Sequence, residues 1–124
     1  DTQNVEWPVA EGPTVIKKDN LYYLIYSAND FRNPDYAVGY ATSTRPMGPW
    51  KKAESSPIIS RKTTQKNGSG HGDLIQEENG NLYYVFHTHY SKDIVHPRKT
   101  ALVRLNFESS DVTIDSDSFK WLKL

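Results

Sequence analysis

Apolar and polar positions alternate along most of the chain, and one alternating stretch occurs in two nearly identical copies. "NLYYLIYS" occupies residues 20–27 and "NLYYVFHT" occupies residues 81–88, 61 residues apart. Successive side chains of a β-strand point to opposite faces of the sheet, so this pattern, rich in aromatic and β-branched residues, predicts strands. No stretch of about ten residues or more has a convincing helical period. The pattern predicts an all-β chain with an internal repeat.

Polar turns divide the pattern into strands that group into two units. The predicted strands are Thr14–Lys17, Leu21–Ser27, Ala37–Ser43, Leu74–Glu77, Leu82–Thr88 and Ala101–Phe107, with a further short one near Val112–Ile114 or Trp121. Units of about 60 residues with three or four antiparallel strands are typical of β-propeller blades. We therefore expect a first blade at about residues 9–58, a linker at about 60–70 and a second blade at about 71–124.

The two units differ in the residue that opens each of them. Glu11 stands in "EGP" and His71 stands in "GHG", 60 residues later. The innermost strands of a propeller line a central channel, so we expect Thr14–Lys17 and Leu74–Glu77 to be innermost and both side chains to point toward one axis. Because the smallest propellers use about four blades, either the remaining blades lie outside this chain, copies associate, or the architecture is a different one.

Composition narrows the functions that suit such a fold. Aromatic residues make up 12% of the chain against 36% for all hydrophobic residues, a balance that suits strands and carbohydrate-facing surfaces. Fifteen basic residues balance fifteen acidic ones, so we expect no nucleic acid and no membrane as a partner. The absence of cysteine excludes disulfides and zinc–thiolate sites, and no apolar run reaches the roughly 18 residues of a membrane span.

Several motifs follow one another in the order in which a known family has them. They are "EGP", "YYLIYS", "VGYATS", "MGPW", "GSGHGDL" and the "HPR" of "YYVFHTHYSKDIVHPR", and they extend from about Glu11 to Phe107. Together they resemble the C-terminal portion of glycoside hydrolase family 43. That family contains five-bladed β-propeller enzymes that act on arabinose- and xylose-containing plant polysaccharides. The resemblance implies an inverting glycoside hydrolase whose last two blades are this chain, and we expect a secreted or periplasmic bacterial protein.

The resemblance also implies roles for individual residues. Glu11 matches the family's general acid, and Arg98 matches a basic residue that reaches the innermost sugar. His71 matches a histidine at the channel centre that contacts substrate and helps hold a calcium ion, directly or through water; no other cofactor is expected. The family's general-base aspartate and the aspartate that tunes the acid have no recognisable counterpart here. Because inversion needs an acid and a base on opposite sides of the sugar, we expect the isolated chain to be inactive.

Some residues leave more than one interpretation open. Phe31 lies in a loop and is either a sugar-stacking platform or an ordinary loop residue, and the pair His87 and His89 either binds a metal or packs within its strand. A non-catalytic module that binds carbohydrate through Phe31, Tyr36 and Trp50 is an alternative function, and a purely structural fragment is another. Only the hydrolase gives Glu11 a role. Its partners would be an oligo- or polysaccharide substrate and either the remaining blades or a second copy.

Overall fold

The computed structural model describes residues 9–123, and their regular structure is almost entirely β-strand. The elements are β1 (Ala10–Lys18), β2 (Leu21–Ala28), β3 (Ala37–Ser43), β4 (Lys51–Lys52), α1 (Arg61–Thr64), β5 (Gly70–Gln76), β6 (Leu82–Thr88), β7 (Lys99–Glu108) and β8 (Asp111–Trp121). The strands form two four-stranded antiparallel sheets in chain order, a first sheet of β1–β4 and a second sheet of β5–β8. The predicted all-β fold with two four-stranded blades is confirmed.

Several strands are longer than the alternation predicted. β1 begins at Ala10 instead of Thr14, and β5 begins at Gly70 instead of Leu74, because both strands continue pairing beyond a register shift. The short strand predicted near the end of the chain is part of the long strand β8. The end of the predicted second blade, Leu124, lies outside the described residues.

The segment between the two sheets contains one helical turn that the sequence did not predict. The side chain of Ser60 accepts a hydrogen bond from the Lys62 backbone N–H at 3.2 Å, and the Ser60 backbone N–H donates one to Thr63 Oγ1 at 2.9 Å. These reciprocal bonds satisfy donors that the start of a helix leaves unpaired. Within residues 9–123, no helix is long and apolar enough to cross a membrane.

One hydrophobic core lies between the two sheets. Its buried members from the first sheet and the following segment are Tyr23, Ile25, Val38, Tyr40, Ile58 and Ile59, and those from the second sheet are Leu82, Tyr84, Phe86, Ala101, Val103, Leu105 and Val112. Those that belong to strands are alternate residues of their strands, so the sequence alternation faces this core. Each fully buried aliphatic or phenylalanine side chain stabilises the fold by about 1.5–3 kcal/mol.

The edge strands β1 and β5 contact each other across the junction of the sheets. The spacing between equivalent residues of the two units changes at these strands, because two residues connect β1 to β2 whereas five connect β5 to β6. Val15 pairs with Leu24 and Asp73 pairs with Val85, so equivalent positions of β1 and β5 lie 58 residues apart. The predicted equivalence of positions 11 and 71 is therefore wrong, since residue 69 corresponds to position 11.

Candidate active site

Irregular backbone at the start of β1 and β5 places the two residues that open the repeats. The register of β1 shifts between Glu11 and Thr14, and that of β5 shifts between Gly70 and Asp73. His71 lies inside the second shift with a φ of 54°, a left-handed conformation that is uncommon for a residue other than glycine. The shift turns the imidazole out of the regular strand alternation and toward the neighbouring sheet.

Glu11 and His71 come together at this junction although their strand positions are not equivalent. His71 Nδ1 lies 3.6 Å from Glu11 Oε1. The backbone N–H of His71 donates a hydrogen bond to Ser27 Oγ at 2.7 Å, which ties β5 to β2 of the other sheet. The Glu11 side chain is 37% exposed and that of His71 is 48% exposed, so a ligand can reach both.

Tyr36 fixes one oxygen of the Glu11 carboxylate by a hydrogen bond. Its hydroxyl donates a hydrogen bond to Glu11 Oε1 at 2.6 Å, and its side chain is completely buried. A Cβ at Gly70 would lie 2.4 Å from the tyrosine ring, so only glycine leaves room for it. Burial and, secondly, the bond to Glu11 raise the pKa of Tyr36, so the phenol remains a donor. A buried Tyr36 cannot stack on a sugar, which removes one of the three aromatics of the binding-module alternative.

Phe31 and Arg98 form a second cluster. The Arg98 guanidinium lies 4.9 Å from the centre of the Phe31 ring, and the His96 ring packs edge-on at 5.8 Å. His89 Nε2 donates a hydrogen bond to the Phe31 carbonyl oxygen at 2.8 Å. Cations over an aromatic face are attracted by the ring's electron density. Phe31 is therefore packed against Arg98 and anchored by His89, in an arrangement that holds the guanidinium in place.

His87 lies close enough to both Arg98 and His71 for their charges to affect it. The sequence did not single it out as a substrate-site residue. It stands opposite Gly70 in the pairing of β5 with β6. Burial lowers the pKa of His87, and the charges of Arg98 and His71 lower it further. Arg98 also acts on the pKa of Tyr36. Both effects indicate that the guanidinium lies within electrostatic range of His87 and of Tyr36, the tyrosine that contacts Glu11.

The described residues do not fit a complete calcium site. They contain no group of three or more His, Asp or Glu side chains that could hold a metal ion. Calcium prefers six to eight oxygen ligands at about 2.3–2.6 Å, whereas His71 offers one nitrogen with Glu11 as the neighbouring carboxylate. A calcium ion held by His71 through water stays a prediction, and no step below goes through a metal.

The chain's sequence matches a known family over most of its length. The sequence model of the glycosyl hydrolases family 43 matches residues 1–113. The chain belongs to this family. A solved family-43 structure, a thermostable glycoside hydrolase, is similar to the chain with 38% sequence identity and a TM-score of 0.82, over 90% of this chain and 37% of that one.

Other family-43 relatives differ in the substrates that their names state. An endo-1,4-β-xylanase structure from Bacteroides thetaiotaomicron is 43% identical, with a TM-score of 0.80 over 86% of this chain and 38% of that one. A xylosidase/arabinosidase of Butyrivibrio fibrisolvens is 32% identical over 67% of this chain and 16% of its own length. A β-D-galactofuranosidase of Aspergillus niger is 26% identical over 81% of this chain and 29% of its own length. The chain thus spans less than two fifths of these proteins.

Proposed function

We propose that this chain is part of an inverting glycoside hydrolase that cleaves arabinose- or xylose-containing plant polysaccharide, and that it carries the general acid, Glu11. The observation that supports this role most directly is the contact between Tyr36 and Glu11. One carboxylate oxygen is held by a buried donor at 2.6 Å, and the residue stays 37% exposed beside His71. A carboxyl group that is fixed at one oxygen and accessible to ligand suits proton donation to a bound sugar.

The other residues of the site have roles that follow from their chemistry. Oε2 of Glu11 has no hydrogen-bond partner among residues 9–123, and it would give its proton to the glycosidic oxygen as the bond to the leaving sugar breaks. Arg98, held by Phe31 at 4.9 Å, donates hydrogen bonds to hydroxyls of the sugar being cleaved. His71, with one face toward Glu11, contacts the same sugar. Phe31 contributes to sugar binding indirectly, because its ring keeps the Arg98 guanidinium in position.

The base that activates water would come from outside this chain. Inversion requires the acid and the base to be about 6.5–9.5 Å apart with water between them. Glu11 is the carboxylate at the junction of the two sheets, and the remaining propeller blades would supply the second one. The isolated chain would then bind sugar weakly and hydrolyse nothing.

The names of the relatives indicate the substrate class and the compartment. They include a xylan 1,3-β-xylosidase of a Vibrio species, 30% identical, and an extracellular exo-α-(1→5)-L-arabinofuranosidase of Streptomyces chartreusis, also 30% identical. We infer a pentose-containing polysaccharide as substrate and export from a bacterial cell. The sugar and the linkage are decided by parts of the site that other blades would form.

The general-acid role of Glu11 is tested by comparing substrates whose leaving groups need protonation to different degrees. In the full-length protein that carries this chain, Glu11→Gln should lower kcat on arabino- or xylo-oligosaccharides about 10²–10⁴-fold. The loss should be much smaller on a dinitrophenyl glycoside, whose leaving group departs without protonation. Arg98→Ala should weaken the binding and lower the turnover of both substrates to the same extent. Glu78→Gln, in an exposed turn, is the matched control and should change neither.

Equal losses on both substrates after Glu11→Gln would overturn the acid assignment. Turnover by the purified 124-residue chain alone would show that one of its own aspartates serves as the base, with Asp30, Asp35 and Asp73 the first to replace.

A further inference from the structure

A basic groove lies beside the candidate active site. It runs between the segment that contains α1, the loop after β6 and the paired ends of β7 and β8, and its volume is about 420 Å³. Four cationic side chains line it: Arg61, Lys66, Lys92 and Lys99. No carboxylate is among the described residues that line it. Since basic and acidic residues balance over the whole chain, this is a local concentration of positive charge.

Two of these lysines are gathered around one indole. Lys99 Nζ lies 3.8 Å and Lys66 Nζ lies 5.8 Å from the centre of the Trp121 ring. Both lysines are partly buried, and no described carboxylate pairs with either. Arg61 differs, because it pairs with Asp35 at 2.6 Å. The indole thus has two ammonium groups around it and no described carboxylate as their counter-ion, and a bound anion would supply the missing charge.

The remaining wall of the groove carries the chemistry that recognises sugar hydroxyls. Gln65 and Asn67 supply amides, Ser91 supplies a hydroxyl, and the half-exposed Tyr90 supplies an aromatic edge. A volume of 420 Å³ falls in the range of about 300–1,000 Å³ that small-ligand sites occupy. Neutral hydrogen-bonding groups in a groove that also contains lysines match a sugar that carries one carboxylate.

We propose that this groove binds a hexuronic acid unit of the polysaccharide, with its carboxylate at Lys66 and Lys99. The proposal rests on the proposed function, because it places the acidic sugar on the same chain as the bond that is cleaved. The two sites share a wall: His89 lines the groove and bonds the carbonyl of Phe31, and Lys99 directly follows Arg98.

Calorimetry with two matched ligands tests this binding. In the full-length protein with Glu11→Gln, xylotetraose bearing one glucuronic acid branch should bind about tenfold or more tightly than unbranched xylotetraose. The preference should fall steeply as salt rises to about 0.5 M. Lys66→Gln and Lys99→Gln should each remove most of it. Lys17→Gln is the matched control, because Lys17 also stands over a ring, 5.5 Å from the centre of Tyr22, but on β1.

Three results would overturn the proposal. They are equal binding of the two oligosaccharides, equal effects of Lys17→Gln and Lys99→Gln, and inorganic phosphate binding as tightly as the acidic oligosaccharide, which would indicate a general anion site. The wild-type protein separates this question from the proposed function. If it hydrolyses unbranched xylan while Lys99→Gln leaves the acidic preference unchanged, only the groove assignment fails. If it hydrolyses no glycoside, the proposed function fails while the binding preference still decides the groove.

Discussion

At the scale of single residues, the contact between Tyr36 and Glu11 determines how the proposed acid is held. The tyrosine is buried between the two sheets and donates to one carboxylate oxygen at 2.6 Å. Its ring fits only because residue 70 is glycine. If Glu11 is the acid, its other carboxylate oxygen would face the substrate, and the direction of proton delivery would be set before substrate binds.

Removing the Tyr36 hydroxyl should reduce catalysis without reducing binding. A hydrogen bond to a charged group contributes about 1.5–3 kcal/mol, so Tyr36→Phe should lower kcat on xylo-oligosaccharides about 10–100-fold. KM should stay within about twofold, and kcat on a dinitrophenyl xyloside should fall less, because that substrate needs no proton. Tyr83→Phe, on the partly exposed face of β6, is the matched control. A change confined to KM would show that Tyr36 does not position the acid.

The environment of His87 predicts an unusual titration. Burial, followed by the charges of Arg98 and His71, lowers the pKa of His87 from its ordinary value of 6.5. As pH falls through about 6.5 the unfolded state therefore takes up a proton before the folded state does, and His87 makes folding less favourable in acid. NMR titration of the imidazole should show the lowered pKa. Arg98→Met should raise it, but not to 6.5, because burial is the larger cause. An unchanged His87 pKa in that variant would place Arg98 elsewhere.

The sequence predicted some of these residues and not others. Glu11, His71, Arg98 and Phe31 stand in motifs that a family resemblance can recognise. The supporting role of Tyr36 was not predicted, because it depends on how the loop before β3 packs under the start of β1. "GSGHG" contained one usable signal, because a glycine in a strand often marks a bulge or a close approach by another group.

At the scale of elements, the start of β5 is fixed by a glycine that packs against backbone. A Cβ on Gly72 would lie 1.7 Å from the carbonyl oxygen of Val85 on β6, far inside any contact distance. The alternation along each strand predicted which face is buried, because this pattern is a property of the strand itself and does not depend on the turns that connect the strands. It could not predict the length of the turns, and the difference between two and five residues shifts β5 against β1.

Gly72→Ala should be much more destabilising than alanine at another glycine. The clash is with main chain that cannot move without breaking the pairing of β5 with β6, so we expect a loss of about 3 kcal/mol or more in the free energy of unfolding. Gly80→Ala is the control. It meets nothing within 4 Å, and its positive φ costs about 1–2 kcal/mol. Urea unfolding of both variants measures the difference; equal losses would mean that β5 moves away from β6 freely.

At the scale of the whole molecule, each sheet has one buried face and one that is partly exposed. The exposed face of the first sheet carries Val15, which is 49% exposed, and that of the second carries Ile75, which is 46% exposed. Tyr22 and Leu24 extend the first surface, and Tyr83, Val85 and Leu102 extend the second. Contiguous apolar surfaces above a few hundred Å² are rarely left bare on soluble proteins.

The isolated 124-residue chain should therefore self-associate. At micromolar concentration we expect light scattering to report dimers or larger species, and an exposed-hydrophobe dye to bind. Replacing Val15 and Ile75 by lysine should shift the population toward monomer, whereas the same change at the exposed Met47, in a turn, should not. A monodisperse monomer that melts cooperatively and binds no dye would contradict this expectation.

The five-residue turn from Glu77 to Asn81 lies at the end of the second sheet opposite to His71. Its residues up to Gly80 are exposed, and nothing lies within 4 Å of a Cβ at Gly80. The chain contains no cysteine. A single thiol introduced as Glu78→Cys would therefore be unique within this segment, and a fluorophore or tether attached to it would report on docking and substrate binding from the end of the sheet away from His71.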